Sequence, residues 1–337
     1  MSTRMKFGTF HLMERPFWKS EPQVVAEHLD QMRAADELGF DAVWLTEHHF
    51  SSVPYVPDVP GEYGISASPF ALACAVSQIT RRVRIGTAVK VLALDHPLRT
   101  AEDAALADIL SLGRLDFGVG FGYRQYEFDG YGIPIAEKNE RFREALEIIV
   151  GAWTNTEFSY AGRFHQIPRL SLIPRPYQRP HPPVWIASRL GTREIIEFTV
   201  KNRYQLLSAW APPAELAATH EMFGTAMADQ GKAGLPFDFP CIRHVFVGET
   251  DEAAQRDGRE AVEYYMKSTA LFRPIGAHER DEMIFGSPDT CAERIERLAQ
   301  ASGVNYILCW MNFGGMPQER VIRSMKLFAH QVLPRFR

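Results

Sequence analysis

The chain has 337 residues, of which 46% are hydrophobic, so it can bury one large core. Its 37 Lys+Arg and 41 Asp+Glu residues give a net charge of −4 at pH 7, which argues against a general nucleic-acid-binding protein. The 4 cysteines form no CxxC pair, and three of them lie in apolar stretches, as expected for buried thiols in a reduced compartment. The N-terminus has no apolar signal-peptide core, and no segment is apolar over a membrane-spanning length. We therefore expect a soluble, cytoplasmic protein that contacts neither membranes nor nucleic acid.

Short apolar runs alternate with longer amphipathic segments along the chain. Strands are predicted at 5–10, 42–45, 83–89, 115–120, 183–187, 204–208, 242–248 and 306–310. Helices are predicted at 22–38, 69–80, 97–111, 137–153, from 192, from 213, at 251–270 and at 319–332. Helical apolar spacing, proline in first turns and Gly39 as a stop support these assignments. Repeated strand–helix units predict a parallel sheet with right-handed crossovers, and eight of them favour an α/β fold of the TIM (β/α)8 barrel type.

Two segments exceed ordinary loop length, although a single domain is expected over residues 1–337. Residues 155–183 are rich in proline and aromatic residues, and residues 271–290 are polar before Pro288 restarts a helix. Long loops in a compact barrel are usually functional or mobile. We therefore expect two insertions in the barrel, with 271–290 as the candidate lid.

The carboxyl ends of the strands, where barrel active sites gather, carry a distinctive set of residues. Glu47, His48 and His49 directly follow the apolar run of the second strand. The set contains few metal ligands, no nucleophile-elbow serine and no reactive-looking cysteine, so no metal is expected and acyl transfer is disfavoured. What remains is a histidine cluster with small residues, aromatics and an arginine, which suits a flat aromatic cofactor with a phosphate tail.

The segment "GVGFGY" contains Gly-x-Gly after a strand, but Tyr123 stands where the dinucleotide-binding fingerprint requires glycine. No other glycine-rich candidate is present. We therefore expect no NAD(P)H-binding domain.

Several longer motifs occur in register along nearly the whole chain: "GFDAVWLTEHHF", "HPLRTAED", "GRLDFGVG", "PPVWIAS" and "SMKLF". Together they resemble the bacterial luciferase family of flavin-dependent monooxygenases, and most closely the luciferase alpha-chain pattern. The resemblance implies a reduced FMN cofactor (FMNH2), O2 as co-substrate and a flavin C4a-peroxide that oxygenates a small organic molecule, such as an aldehyde or ketone. The identity of that substrate is left open.

The resemblance assigns His48 to catalysis beside the flavin ring, where an imidazole can exchange a proton with the peroxide. His49 should be structural, because neighbouring residues on an extended chain point to opposite sides. Glu47 would hydrogen-bond backbone or flavin-edge groups, with a strand-end anchor as the competing role. Ala88–Val89 matches the family position of a non-prolyl cis peptide next to the ring, although an ordinary strand end is the alternative.

Further residues are assigned to cofactor binding by the same resemblance. Gly120 and Tyr123 follow the fourth strand near the ring. The phosphate would bind at the start of the fifth helix, to Ser188, Arg189, Leu190 and Thr192, together with Arg141. Arg141 has a competing role as a solvated helix charge.

The chain departs from the luciferase alpha-chain pattern at two neighbouring positions. Phe121 replaces an arginine, so one phosphate-binding cation is missing and Arg189 is expected to compensate. Gly120 replaces a cysteine, so that thiol is not part of the site.

Large aromatic residues at or near strand ends, including Phe10, Trp210 and Trp310, are candidates for a dry substrate pocket, with core packing as the alternative. Because no nicotinamide site is found, the reduced flavin should come from a separate reductase, and a homodimer is expected from the family. Two other functions remain open: a deazaflavin-dependent oxidoreductase on the same barrel, and a non-catalytic flavin-binding protein.

Overall fold

The computed structural model describes residues 4–54, 61–188, 191–270 and 282–337, with the side chains of 268–270 left aside. In chain order the strands are β1 (Lys6–His11), β2 (Arg15–Pro16), β3 (Ala42–Leu45), β4 (Gly61–Glu62), β5 (Arg84–Thr87), β6 (Lys90–Val91), β7 (Leu115–Gly120), β8 (Phe158–Ala161), β9 (Gln166–Leu170), β10 (Val184–Ser188), β11 (Gln205–Ser208), β12 (Pro240–Val247), β13 (Ile284–Gly286) and β14 (Tyr306–Trp310).

The helices carry the apolar stripes that cover the sheet. They are α1 (Glu21–Leu38), α2 (Pro69–Ile79), α3 (Pro97–Leu110), α4 (Gln125–Gly130), α5 (Lys138–Thr154), α6 (Arg193–Lys201), α7 (Pro213–Asp229), α8 (Asp251–Ala270), α9 (Pro288–Ser302) and α10 (Gln318–Leu327). α1 shows how local sequence sets their bounds, since Ser20 caps its first turn and Gly39, in the left-handed conformation, ends it.

A 10-stranded sheet with parallel pairing forms the centre of the fold, in the order β11, β10, β7, β5, β3, β1, β14, β12, β13, with β6 beside β7. The sheet curls so that β11 and β12 lie against each other. Arg243 of β12 donates a hydrogen bond to the carbonyl of Ala211, just past β11 (2.8 Å). The predicted α/β barrel is therefore confirmed, and the carboxyl ends of its strands share one mouth.

The predicted strands and helices are present with small shifts at their ends. Several features were not predicted, among them helix α4 and the antiparallel pair β2–β4. The strand expected at 83–89 stops at Thr87 and resumes at Lys90. The excursion 155–183 contains the antiparallel hairpin β8–β9, and part of the second excursion forms β13, which pairs with β12. Residues 271–281 of the candidate lid lie outside the described residues.

Aromatic residues fill the barrel below the mouth. Trp44 donates its ring N–H to the hydroxyl of Tyr306 (2.7 Å) and lies edge-on to Trp185, with 5.4 Å between ring centres. Tyr306 begins β14 and Trp310 ends it, so these two residues occupy different layers. The packed layer of Trp44, Trp185 and Tyr306 fills the barrel interior, so the reacting groups are expected at the carboxyl ends of the strands. Among the described residues, no helix is long and apolar enough to cross a membrane.

Candidate active site

His48 lies just past the end of β3 and is 8% exposed. Its backbone N–H donates to the carbonyl of Ser66 (2.9 Å), and its Nδ1 lies 3.1 Å from Oε1 of Glu127 on α4. A carboxylate only accepts hydrogen bonds, so Nδ1 carries the proton and the neutral ring presents the lone pair of Nε2. Within the described residues, Nε2 makes no hydrogen bond. Burial lowers the pKa of His48, and the hydrogen bond with Glu127 opposes that shift only in part.

A cation and two tyrosines surround the His48 ring. Tyr63 packs edge-on against it with 5.1 Å between ring centres, and Tyr123 lies at 6.5 Å. The buried guanidinium of Arg124 stacks 4.0 Å from the centre of the Tyr63 ring and 5.0 Å from that of Tyr123. The predicted residue Tyr123 therefore stands at the mouth, 63% exposed, on the outer side of this cluster.

Glu47 and His49 form a separate network behind His48. His49 donates from Nε2 to Glu47 (2.9 Å) and accepts at Nδ1 from the Tyr131 hydroxyl (3.0 Å), so both of its ring nitrogens bind protein groups. Glu47 also accepts from the ammonium of Lys90 (2.6 Å) and from the backbone N–H of Val91 (2.6 Å). Both carboxylate oxygens of Glu47 thus bind protein groups, which favours the strand-end anchor and backbone contact over a flavin-edge contact.

Burial alone would lower the pKa of Lys90, but the Glu47 carboxylate outweighs it and raises that pKa. Lys90 therefore stays charged, and its ion pair with Glu47 ties the end of β3 to β6.

The peptide bond between Ala88 and Val89 is cis, as the resemblance predicted. Gly120, at the end of β7, faces this segment. A Cβ on Gly120 would lie 2.5 Å from Cγ2 of Val89, which is closer than real carbon atoms approach. Gly120 is therefore needed for the close approach of the Ala88–Val89 segment, a role that its small size alone explains.

Two of the predicted phosphate-binding residues, Ser188 and Thr192, lie just before the first turn of α6. Thr192 is the N-cap and accepts from the N–H of Ile195 (3.4 Å), while Ser188 ends the preceding strand. The first N–H groups of a helix have no partner within it, so they form an anion-binding site. Arg189 and Leu190 lie outside the described residues.

Arg141 lies in the first turn of α5. An ion pair between Arg143 of α5 and Glu194 of α6 joins the two helix ends. Arg141 itself pairs with Glu137 (2.8 Å) and stacks 4.3 Å from the centre of the Phe164 ring. The structure thus pairs Arg141 with a carboxylate at the start of its own helix, while Arg143 makes the contact with α6.

Aromatic residues line the opposite wall of the mouth. Phe10 and Trp310 lie edge-on at 5.5 Å, and His244 stacks on Trp310 at 4.3 Å. Tyr265 and Phe313 complete this aromatic wall, at 4.4 and 4.9 Å from His244. Two of the three predicted pocket residues, Phe10 and Trp310, are therefore in contact.

Trp210, the third predicted pocket residue, lies elsewhere. It packs over the guanidinium of Arg243, at 5.6 Å. Arg243 and His244 are neighbours on β12 and so project to opposite faces of the strand. The structure therefore places Trp210 beside Arg243.

Sequence reasoning missed the residues that complete the His48 surroundings: Glu127, Arg124 and Tyr63. A signal for two of them was present, because "GYRQYEF" places a cation and a carboxylate directly after a strand that ends at the mouth. Phe121, which replaces the expected arginine, packs on Phe142 at 4.0 Å instead. The cation near the mouth after β7 is Arg124, three positions further on.

Comparison with known proteins decides the family. Residues 5–306 match the sequence profile of the luciferase-like monooxygenases. The chain belongs to this family. It is therefore a monooxygenase, as its motifs predicted.

Two full-length relatives carry informative names. The oxygenase component of flavin-dependent trigonelline monooxygenase from Acinetobacter baylyi is 27% identical, over 98% of this chain and 96% of the relative. The alkanal monooxygenase alpha chain of the Kryptophanaron alfredi symbiont is 23% identical, over 98% of both. A Sinorhizobium fredii protein of uncharacterised function is 35% identical over 185 residues, and the match spans 50% of its length.

Solved structures of luciferase-like monooxygenases and related enzymes share the fold. Monooxygenase RslO1 from Streptomyces bottropensis superposes with a TM-score of 0.88 at 28% identity, over 99% of this chain and 100% of that one. The oxygenating constituent of 3,6-diketocamphane monooxygenase from Pseudomonas putida, in complex with FMN, gives 0.82 at 20% identity, over 98% and 99%. An F420-dependent secondary alcohol dehydrogenase gives 0.78 at 17% identity, over 99% and 100%. The fold alone therefore does not choose between flavin and deazaflavin.

Proposed function

We propose that this chain is the oxygenase component of a two-component monooxygenase. It takes reduced FMN from a separate reductase, uses O2 and oxygenates a small organic substrate. The observation that carries the proposal is the pairing of His48 with Glu127 at the mouth of the barrel, which leaves Nε2 of His48 as a neutral proton acceptor.

The residues present fit a flavin mononucleotide. His48 Nε2 has no hydrogen-bond partner in the described part of the chain, and Gly120 lets the Ala88–Val89 segment approach the mouth closely. The start of α6, with Thr192 and Ser188, would take the phosphate, supported by Arg141. Tyr123 would border the ring. When bound, reduced FMN would supply the activation of O2 and the transfer of one oxygen atom.

The chain's own residues would then perform three tasks. His48 accepts or returns a proton at Nε2, and Glu127 fixes the tautomer that makes this possible. Glu47 and Lys90 hold the backbone behind them. The aromatic wall of Phe10, Trp310 and their neighbours excludes water from the reacting groups.

Reductase dependence is supported by the name of the Acinetobacter relative, an oxygenase component. A homodimer is the proposed assembly, through α3, where Leu106 and Leu110 are 46% and 40% exposed. Leu106 and Leu110 are four residues apart, so they lie next to each other on one face of α3.

The decisive experiment uses reduced cofactor and oxygen. The chain is mixed anaerobically with reduced FMN or with a reduced deazaflavin, oxygen is admitted, and flavin absorbance, O2 consumption and H2O2 release are followed. We expect binding of reduced FMN and O2 consumption with little H2O2. Tighter binding of deazaflavin without O2 consumption would contradict the proposal.

His48→Ala tests the assigned residue in the same assay. Loss of a positioned acid–base group costs about 10²–10⁴-fold in rate, so we expect a loss of that order in substrate oxygenation with reduced-FMN binding retained. His330, which is exposed on the last helical turn, provides the control His330→Ala, which should behave as the wild type. Undiminished turnover of His48→Ala would instead show that another group performs the proton transfer.

A further inference from the structure

Glu14 is a buried carboxyl group at the mouth that the proposed chemistry does not use. It follows the end of β1 and is 8% exposed. Its Oε2 accepts a hydrogen bond from the backbone N–H of Gly314 (2.7 Å). Its Oε1 is fully buried and has no hydrogen-bond partner among the described residues. Unpartnered polar atoms at such depth are rare, and they call for a physical explanation.

The position of Glu14 is fixed by both of its neighbouring segments. Gly314 has φ +60, and a Cβ there would lie 1.9 Å from the carbonyl oxygen of Ala261, so the residue that holds Glu14 must be glycine. The carbonyl of Met13 accepts from the N–H of Ile65 (3.2 Å), in the segment that also carries Tyr63. Glu14 is thereby held between the aromatic wall, which contains Phe313, and the residues that surround His48.

The groups that face Glu14 do not neutralise a negative charge. They are Tyr63, Tyr264 of α8 and the adjacent Arg15, which pairs at 3.9 Å with Glu62. Burial raises the pKa of Tyr63 and of Tyr264, so both stay neutral. Burial also raises the pKa of Glu14 to about 8, against the opposing effect of the Gly314 N–H. At neutral pH the carboxyl group therefore keeps its proton. Because Oε2 accepts from Gly314, the proton belongs on Oε1.

We propose that Glu14 donates a hydrogen bond from Oε1 to an uncharged acceptor oxygen of the substrate, the carbonyl of a ketone or an aldehyde. The proposal rests on the proposed function, since it assigns a substrate-binding residue to the same site. A neutral donor in an aromatic wall polarises and orients a carbonyl group, and it rejects a hydrocarbon of the same shape. A substrate cation would instead require the ionised form of Glu14.

Two substitutions separate the hydrogen bond from the shape of the side chain. Glu14→Gln keeps an N–H donor and a carbonyl acceptor for Gly314, whereas Glu14→Leu keeps the volume without either. Cyclohexanone and n-decanal serve as carbonyl probes and N-methylpyridinium as the cationic probe, each titrated by calorimetry with and without reduced FMN under anaerobic conditions. Glu62→Gln, at the half-buried partner of Arg15, is the matched control.

We expect the carbonyl probes to bind the wild type, Glu14→Gln and Glu62→Gln alike and Glu14→Leu about tenfold more weakly, the loss of one buried hydrogen bond. Wild-type affinity should fall as the pH rises through about 8, while that of Glu14→Gln should not. Independently of folding in the leucine variant, the infrared band of a protonated carboxyl group should be present in the wild type, absent in Glu14→Gln and shifted by cyclohexanone.

Three results would overturn the proposal: equal affinity of Glu14→Leu for the carbonyl probes, tighter binding of N-methylpyridinium than of either carbonyl probe, or no carbonyl binding to the wild type. Failure of the proposed function would show in a different measurement. It would appear as absent reduced-FMN binding, while the titrations without flavin still report on Glu14.

Discussion

At the scale of single residues, the site depends on one imidazole and the carboxylate that orients it. His48 would be ambiguous alone, because either ring nitrogen could carry the proton. Oε1 of Glu127 lies 3.1 Å from Nδ1 of His48, so the proton is fixed on Nδ1. The chemistry assigned to His48 is therefore a property of the pair.

Glu127→Gln tests this pairing. The hydrogen bond and charge of Glu127 raise the pKa of His48 against the effect of burial, so removing the charge should lower that pKa further. We expect turnover to fall about tenfold to hundredfold, at the lower end of acid–base effects, because the ring loses its fixed tautomer. NMR titration of His48 and steady-state kcat measure the two effects.

A matched pair elsewhere in the chain provides the control. Glu144 contacts His165 at 3.0 Å, away from the mouth, and it too raises the pKa of its histidine. Glu144→Gln should change the titration of His165 and leave the titration of His48 unaltered. An unchanged His48 titration in Glu127→Gln would refute the role of Glu127.

At the scale of secondary-structure elements, the mouth is shaped by where strands stop. The predicted strand 83–89 is interrupted because the chain turns at Ala88–Val89 and then rejoins the sheet as β6. β7 ends in Gly120, directly against that turn. The binding position proposed for the flavin ring therefore depends on how the ends of β5 and β7 pack against each other.

Gly120→Ala should disturb this packing. The added methyl group would meet Val89 at 2.5 Å, and overpacking of this kind costs about 1–3 kcal/mol. We expect a lower free energy of unfolding in urea and weaker binding of reduced FMN.

The double variant Val89→Ala, Gly120→Ala removes the opposing side-chain atom and should recover most of both losses. Gly224→Ala on α7 is the control, because a Cβ there meets nothing within 4 Å. If Gly120→Ala folds and binds like the wild type, the close approach has no importance for the site.

At the scale of the whole molecule, buried ionisable groups couple stability to pH in opposite directions. Glu14 has its pKa raised from 4.5 to about 8, so its protonated form favours the folded state. That stability is fully present below pH 4.5 and is lost as the pH rises through about 8. His11 has its pKa lowered from 6.5 to about 3, so its contribution is present above pH 6.5 and is lost as the pH falls.

Glu14→Gln should therefore stabilise the protein at pH values above 4.5, by an amount that grows until about pH 8. The free energy of unfolding should match the wild type below pH 4.5 and exceed it above pH 8, by a few kcal/mol at about 1.4 kcal/mol per unit of pKa shift. Urea unfolding across this pH range measures the difference. Parallel curves for the two proteins would show that Glu14 titrates normally in the folded state.

Much of the fold could be predicted from the sequence, because the spacing of apolar residues and the residues that begin and end helices are local properties. Proline in first turns and glycine after last turns mark helices such as α1 and α9. Short runs such as β7 and β14 are apolar enough to be strands on their own. The hairpin β8–β9 and the strand β13 were missed, since their pairing depends on partners and their own residues carry little periodic signal.

The sequence by itself determined the barrel, the place of His48 at a strand end and, through family motifs, the cis bond between Ala88 and Val89. Only the tertiary structure decided which side chains meet there. Glu127 reaches His48 from 79 positions away, and Gly314 reaches Glu14 from 300 positions away. Such pairs leave no local pattern, because the closure of the sheet sets their distances and burial sets their protonation.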